Sequence, residues 1–180
     1  MKAVLLLLCF GLPLPTAAQS LYPEPPAHAE LLARRPDLAF EHWTYWRLDM
    51  DLLGRVNRQV NASMTYRAET RDAWGIGADC EDYAVRKLET LVAYGVPRGA
   101  LRLAVGRVSG RGHAVLVVRG LWVLDNRHDA PYRLGTSDMV VEAWETDGRN
   151  WDPAGPFASL ADHLRWSRQA GTTMPAVPGP

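Results

Sequence analysis

The sequence predicts an α+β domain in which helices come first and a mostly antiparallel sheet follows. Two features of the pattern carry this. Up to Val92 apolar residues recur at three- and four-residue steps, and beyond Pro97 the period falls to two. Composition supports a real core: 180 residues at 47% hydrophobic and 22% charged exclude a collagen-like, low-complexity or wholly disordered chain.

The first element is an address. Met1 and Lys2 precede the apolar run Ala3 to Leu12, and Thr16-Ala17-Ala18 offers small residues where a signal peptidase reads, so residues 1–18 are expected to be a cleavable secretory signal. The run is far short of the roughly 20 residues a membrane span needs, and Pro13 and Pro15 would interrupt any continuation. No later stretch is longer, so the mature chain is expected to hold no transmembrane segment. A lipoprotein box at Leu6-Leu7-Leu8-Cys9 is the competing reading, but it lies close to the start and lacks small residues before the cysteine. Residues 19–36, with Pro23, Pro25, Pro26 and Pro36, read as an extended lead-in.

Residues 37–169 are expected to form one domain. Trp43, Trp46, Met50, Leu53, Val56 and Val60 make one apolar stripe, with Arg47, Asp51, Arg55 and Arg58 between them, which predicts an amphipathic helix. Asn61 to Arg71 is polar, and Trp74-Gly75-Ile76-Gly77 is a loop whose glycines open conformations closed to other residues. A second helix starts at Cys80. Cys80, Ala84, Leu88 and Leu91 share its buried side, Asp79 stands at the N-cap, Glu81 and Asp82 complete an acidic first turn, and Gly95 and Pro97 end it. Strands are predicted at Leu101 to Gly106, His113 to Val117, Leu121 to Asp125 and Met139 to Trp144, followed by a short helix at Phe157 to Trp166 and a mobile tail, residues 170–180.

Charge excludes one class of partner. Twenty Lys+Arg balance twenty Asp+Glu, so no basic field draws the protein to nucleic acid. Only Lys2 and Lys87 among the basic residues are lysines, a bias that reads as codon habit.

Removal of the signal takes Cys9 with it and leaves Cys80 as the single cysteine, unable to form an internal disulfide in an oxidising compartment. Such a thiol is a buried small hydrophobe, an intermolecular link or a nucleophile. Thiolate attack on an acyl carbon needs a base that takes the proton and an acceptor that holds the base in the right tautomer; Cys80, His113 and Asp125 offer these. The helix N-terminus favours negative charge on Cys80, and its own N–H is free to help form an oxyanion hole. A two-residue turn at Arg119-Gly120 would set His113 opposite Asn126 and send Asp125 to the other face. A three-residue loop, Val118 to Gly120, would pair Val117 with Leu121 and His113 with Asp125, and Gly120 suits its left-handed last position. The glycine favours this second register. His128 with Asp129 is the runner-up pair, and His28, His42 and His163 read as surface or core residues.

Three motifs together resemble a known family: Asp79-Cys80-Glu81-Asp82-Tyr83-Ala84, Gly112-His113-Ala114-Val115-Leu116 and Val123-Leu124-Asp125-Asn126. They are similar to the bacterial transglutaminase-like cysteine peptidases, the group that contains the LapG-like periplasmic proteases. The resemblance runs from about Val56 to Asn126. It implies a papain-like, transglutaminase-like α+β fold, with the cysteine-bearing helix packed on the sheet. Cys80 would be nucleophile, His113 base and Asp125 orienting acid, acting through a thioester. It further implies calcium held by Asp79 and Glu81, a periplasmic location, a protein substrate of the large surface adhesin kind, and an inner-membrane receptor as regulatory partner. Physical chemistry gives calcium a reason: three carboxylates beside a thiolate raise its pKa, and a divalent cation cancels that. Without a metal, Asp79 is simply a helix cap. The chain departs from the pattern between Tyr66 and Cys80, which is shorter and lacks a Trp-x-x-Pro element, with Trp74 in partial replacement; this leaves substrate identity open. Acyl transfer to an amine, as in a transglutaminase, and a non-catalytic binding module are the alternatives. A cell-wall amidopeptidase of the NlpC/P60 type ranks behind them, because it follows Asp-Cys with small residues where this chain has Glu81-Asp82.

Overall fold

The computed structural model describes residues 24–39, 46–69, 73–147 and 150–153. The expected signal, residues 1–18, the Phe157 to Trp166 helix and the tail at residues 170–180 lie outside them. The order is three helices, α1 (Pro26–Arg34), α2 (Met50–Ser63) and α3 (Cys80–Ala93), and then strands β1 (Leu101–Val108), β2 (Arg111–Val118), β3 (Trp122–Leu124), β4 (Tyr132–Arg133), β5 (Met139–Asp147) and β6 (Asn150–Pro153). The fold is α+β, with the strands in one antiparallel sheet ordered β4-β3-β2-β1-β5-β6.

Two expectations about the first half need correction. Residues 26–34 of the supposed extended lead-in are helical, because Pro26 at the first helical position has the φ a helix needs and no amide to waste there. Ala27, Leu31 and Leu32 then repay the helix by burial. The next helix begins at Met50, later than the stripe from Trp43 and Trp46 suggested. Asp49 caps it, its carboxylate accepting the Leu52 amide at 2.9 Å. Trp46 still packs against the core from the preceding segment, and Trp43 lies outside the described residues.

Alternation along the sheet sorts its two faces. Leu101, Leu103, Leu116, Val118 and Leu124 pack with Leu53, Val56, Val60, Leu88 and Leu91 of the helices, and Val115, Val117, Val123, Val141 and Trp144 form a second cluster. A fully buried side chain of this size contributes about 1.5–3 kcal/mol. A bulge between Val105 and Gly106 shifts the β1–β5 register, and a Cβ at Gly106 would run into the Val140 carbonyl. β4 and β6 were not legible in the sequence, since two- and four-residue strands carry too little alternation.

Both hairpins differ from expectation in detail. The first turns at Ser109-Gly110, so His113 is the third residue of β2 rather than its opening residue. In the second, Arg119 and Gly120 both have positive φ, at 52° and 63°, and the Leu121 amide bonds the Val118 carbonyl at 3.1 Å. That is the compact two-residue turn. Leu121 then falls out of the ladder, its carbonyl taken by the Leu134 amide at 2.8 Å, and pairing resumes as Val118 with Trp122 and Leu116 with Leu124. The expected pairings of Val117 with Leu121 and of His113 with Asp125 are therefore corrected: Val117 faces Val123, and the ladder ends at Leu116 with Leu124, short of both His113 and Asp125.

A buried polar knot ties α1 to the sheet. His28, fully buried, lies 2.7 Å from both Glu24 and Glu145, and Arg98 holds both Glu145 oxygens at 2.8 Å. Burial alone would raise the Glu145 pKa, but Arg98 and His28 outweigh it and hold the carboxyl below its usual range. Trp74 and Trp151 stack edge-on around the imidazole.

Candidate active site

Cys80 is the first residue of α3, and Asp82 shapes the approach to it. One Asp82 oxygen accepts the Gly75 and Ile76 amides at 2.7 and 3.1 Å, and the other accepts the Asp79 amide at 3.0 Å. The loop is thereby wound onto the helix start, which needs positive φ at Gly75. Asp79 takes the N-cap position as expected. Residues 64–69 run beside this loop, held by Arg67 N–H to the Ala78 carbonyl at 2.9 Å and by the Tyr83 hydroxyl to the Met64 carbonyl at 2.8 Å. α3 packs against β2, and the Ala114 backbone amide acts on the Cys80 sulfur in the sense that favours thiolate. The thiol thus sits beside the strand that carries His113.

His113 and Asp125 do meet. β3 ends at Leu124, and from just beyond it Asp125 Oδ1 lies 2.9 Å from His113 Nε2, with both residues buried. The same oxygen accepts the Arg127 amide at 2.8 Å, and Oδ2 accepts the Tyr132 hydroxyl at 2.9 Å. Burial pushes the carboxyl up, but the bonds from His113 and the Arg127 amide outweigh it and bring its pKa to about 2. An ionised carboxylate only accepts hydrogen bonds. His113 Nε2 therefore carries the proton, and Nδ1 is left as the basic nitrogen.

The thiol itself is restrained. Among the described residues its hydrogen bond goes to Glu81 Oε2, at 3.1 Å, and none joins it to the imidazole. Burial first, and then the Glu81 charge, push the Cys80 pKa well above its ordinary value. The Asp79 carboxyl is pushed up to about 8, by burial and then by Glu81 and Asp82. Asp79, Glu69 and Asp82 bring carboxylate oxygens within 4.8 Å of one another. Glu69 was not singled out in the sequence; it enters because Gly77 leaves room, a Cβ there overlapping the Glu69 carboxylate. Glu81, named with Asp79 as a metal ligand, sits beside Asp79 but turns an oxygen to the thiol. Hard oxygen donors crowded to the point of holding a proton suit a cation such as calcium.

Other residues of the site were missed. Asn57 and Asn61, one turn apart on α2, donate their amides to the carbonyls of Asp125, His128 and Asp129 and so anchor the chain that follows Asp125. Their i, i+4 spacing on a buried face was the available signal. Tyr132 needed the short β4 to be placed. The runner-up pair does not form: among the described residues no hydrogen bond joins His128 to Asp129, and His128 Nε2 has no partner.

Residues 39–139, more than half of the chain, match the model of the family described as bacterial transglutaminase-like cysteine proteinase. The chain belongs to that family. Its α+β fold is of the transglutaminase-like kind. Among solved structures, Legionella pneumophila LapG matches at 24% identity and a TM-score of 0.45, covering 52% of this chain and 62% of LapG. The EGTA-treated form of that protein matches at 24% and 0.49, over 56% and 65%, and the calcium-bound form at 23% and 0.48, over 66% and 78%. The chain thus spans less than two thirds of the first two. No curated protein matches it. Among the described residues no helix is long and apolar enough to cross a membrane.

Proposed function

We propose that this protein is an exported, periplasmic cysteine peptidase in which Cys80 is the nucleophile, His113 the base and Asp125 the acid that orients it. The observation that carries this is the buried His113–Asp125 bond at 2.9 Å, in a strand whose next residue touches the Cys80 sulfur. His113 Nδ1 takes the thiol proton, the sulfur attacks the scissile carbonyl, and the same nitrogen returns the proton to the leaving amine, leaving a thioester that water opens. The Cys80 backbone N–H, at the start of α3, is one donor to the oxyanion. The substrate is a protein, of the large surface adhesin class that the family resemblance implies, and an inner-membrane receptor is the proposed regulator. The amino-terminal eighteen residues are the proposed export signal.

Calcium belongs to the same proposal. Asp79 and Glu81, with Glu69 and Asp82 beside them, would hold it, and it would supply positive charge against the carboxylates that now disfavour the thiolate. Cys80→Ala is expected to abolish proteolysis of surface proteins with the thermal melt nearly unchanged. Retained cleavage ends the proposal.

A further inference from the structure

The two oxygens of Asp125 are held unequally. Oδ1 accepts from His113 Nε2 at 2.9 Å and from the Arg127 amide at 2.8 Å, whereas among the described residues Oδ2 accepts one hydrogen bond, from the Tyr132 hydroxyl at 2.9 Å. Asp125 is buried, so an Oδ2 without that hydroxyl is a bare charged acceptor shut off from water, and it turns toward any donor in reach. The donor in reach is the Arg127 guanidinium, whose Nη1 lies 3.9 Å from Oδ2 while its Nη2 holds Asp138. Rotation of the carboxylate toward that charge takes Oδ1 off the line to Nε2.

Tyr132 is itself held from behind. β4 pairs it with Val123, two residues before Asp125, which brings its ring alongside the carboxylate. The His128 ring meets the Tyr132 ring edge-on, with centroids 5.0 Å apart and planes at 74°. His128 is fixed in turn through its carbonyl, which accepts the Asn57 and Asn61 amides at 2.6 and 3.0 Å. A line of support therefore runs from α2 through His128 and Tyr132 to Asp125, and ends on His113.

We infer that Tyr132 is a positioning residue that, backed by His128, fixes the Asp125 carboxylate against the pull of Arg127 and so keeps Oδ1 on His113 Nε2. The inference rests on the reading of His113 and Asp125 as base and orienting acid. It gives His128 a part in the site as the backing of a ring, in place of the part of base. Burial and then the Asp125 charge raise the Tyr132 pKa above its usual value, so the phenol stays a donor.

The test is iodoacetamide alkylation of the full chain with calcium present, quantified at Cys80 by peptide mass spectrometry, in wild type, Tyr132→Phe, Asp125→Asn and the double variant. Tyr132→Phe removes the hydroxyl alone, and it is expected to slow alkylation near neutral pH about tenfold, the worth of one hydrogen bond to a charged group. In the Asp125→Asn background the same change is expected to alter the rate less than about twofold, because the residue it acts through is already disabled. An unchanged rate in folded Tyr132→Phe overturns the inference and leaves the hydroxyl as packing. So does an equal loss in both backgrounds, which would mean that Tyr132 acts through some group other than Asp125. Should Tyr132→Phe not fold, a ring-fluorinated tyrosine at position 132 keeps shape and hydroxyl; its stronger donor draws charge from the carboxylate and slows alkylation, and an unmoved rate overturns the inference. Failure of the triad reading is seen separately: alkylation of His113→Ala as fast as that of wild type sinks it, and the part given to Tyr132 with it.

Discussion

Asp125→Asn isolates charge from shape at the centre of the site. The amide is isosteric with the carboxylate, so its oxygen can still accept from His113 Nε2, and its nitrogen meets the Tyr132 hydroxyl, which can accept in turn. What is lost is the negative charge. The Asp125 pKa falls from 3.8 to about 2 in the folded protein, and at about 1.4 kcal/mol per unit this corresponds to roughly 2.5 kcal/mol of stability near neutral pH. Because the folded pKa is depressed, that contribution is present above pH 4 and is lost as pH falls through about 2. Urea unfolding of wild type and variant should therefore differ by about 2–3 kcal/mol at pH 7 and converge only below about pH 2. Iodoacetamide alkylation of Cys80 reads the second consequence: without the carboxylate the imidazolium is less stable, and the thiolate it supports forms less readily. By analogy with other triads, turnover should fall about 10²–10⁴-fold. Equal stability of the two proteins at pH 7 with equal alkylation rates would refute the reasoning, for it would mean that the buried bond neither holds the fold nor tunes the base.

Other outcomes follow from the same geometry. In the absence of divalent cations the folded Asp79 keeps its proton to about pH 8 while the unfolded chain releases it near pH 4, so thermal stability should fall as pH rises between these values, and calcium should restore it most at the upper end. A melt indifferent to both pH and calcium would return these acids to capping. Asn57→Ala leaves the His128 and Asp129 carbonyls short of a buried donor and should cost about 2 kcal/mol in urea unfolding; a loss below about 0.5 kcal/mol would show that the amide does not anchor the loop. Glu145→Gln removes the negative charge facing buried Arg98 and should cost about 3–5 kcal/mol by denaturant titration, with a neutral result meaning that Arg98 and Glu145 do not act as a charge pair.

The amino-acid sequence alone determined the order of helix and strand and the place of Cys80 at a helix start. These features rest on local periodicity, on capping chemistry and on side-chain alternation, which neighbouring residues settle among themselves. Trp43 to Val60 shows the limit of that logic, since an apolar stripe continues past the point where the Asp49 cap begins the helix. Only the tertiary structure decided the rest. The pairing after Gly120 turned on whether Leu121 could leave the ladder, and it can because Leu134, thirteen residues on, takes its carbonyl. Glu69 joins Asp79 and Asp82 through a glycine eight residues away, and Asn57 and Asn61 find their partners on a loop over sixty residues later. Partners so far apart in the chain leave no periodic trace, because burial and charge act through space while periodicity records only the local turn of the backbone.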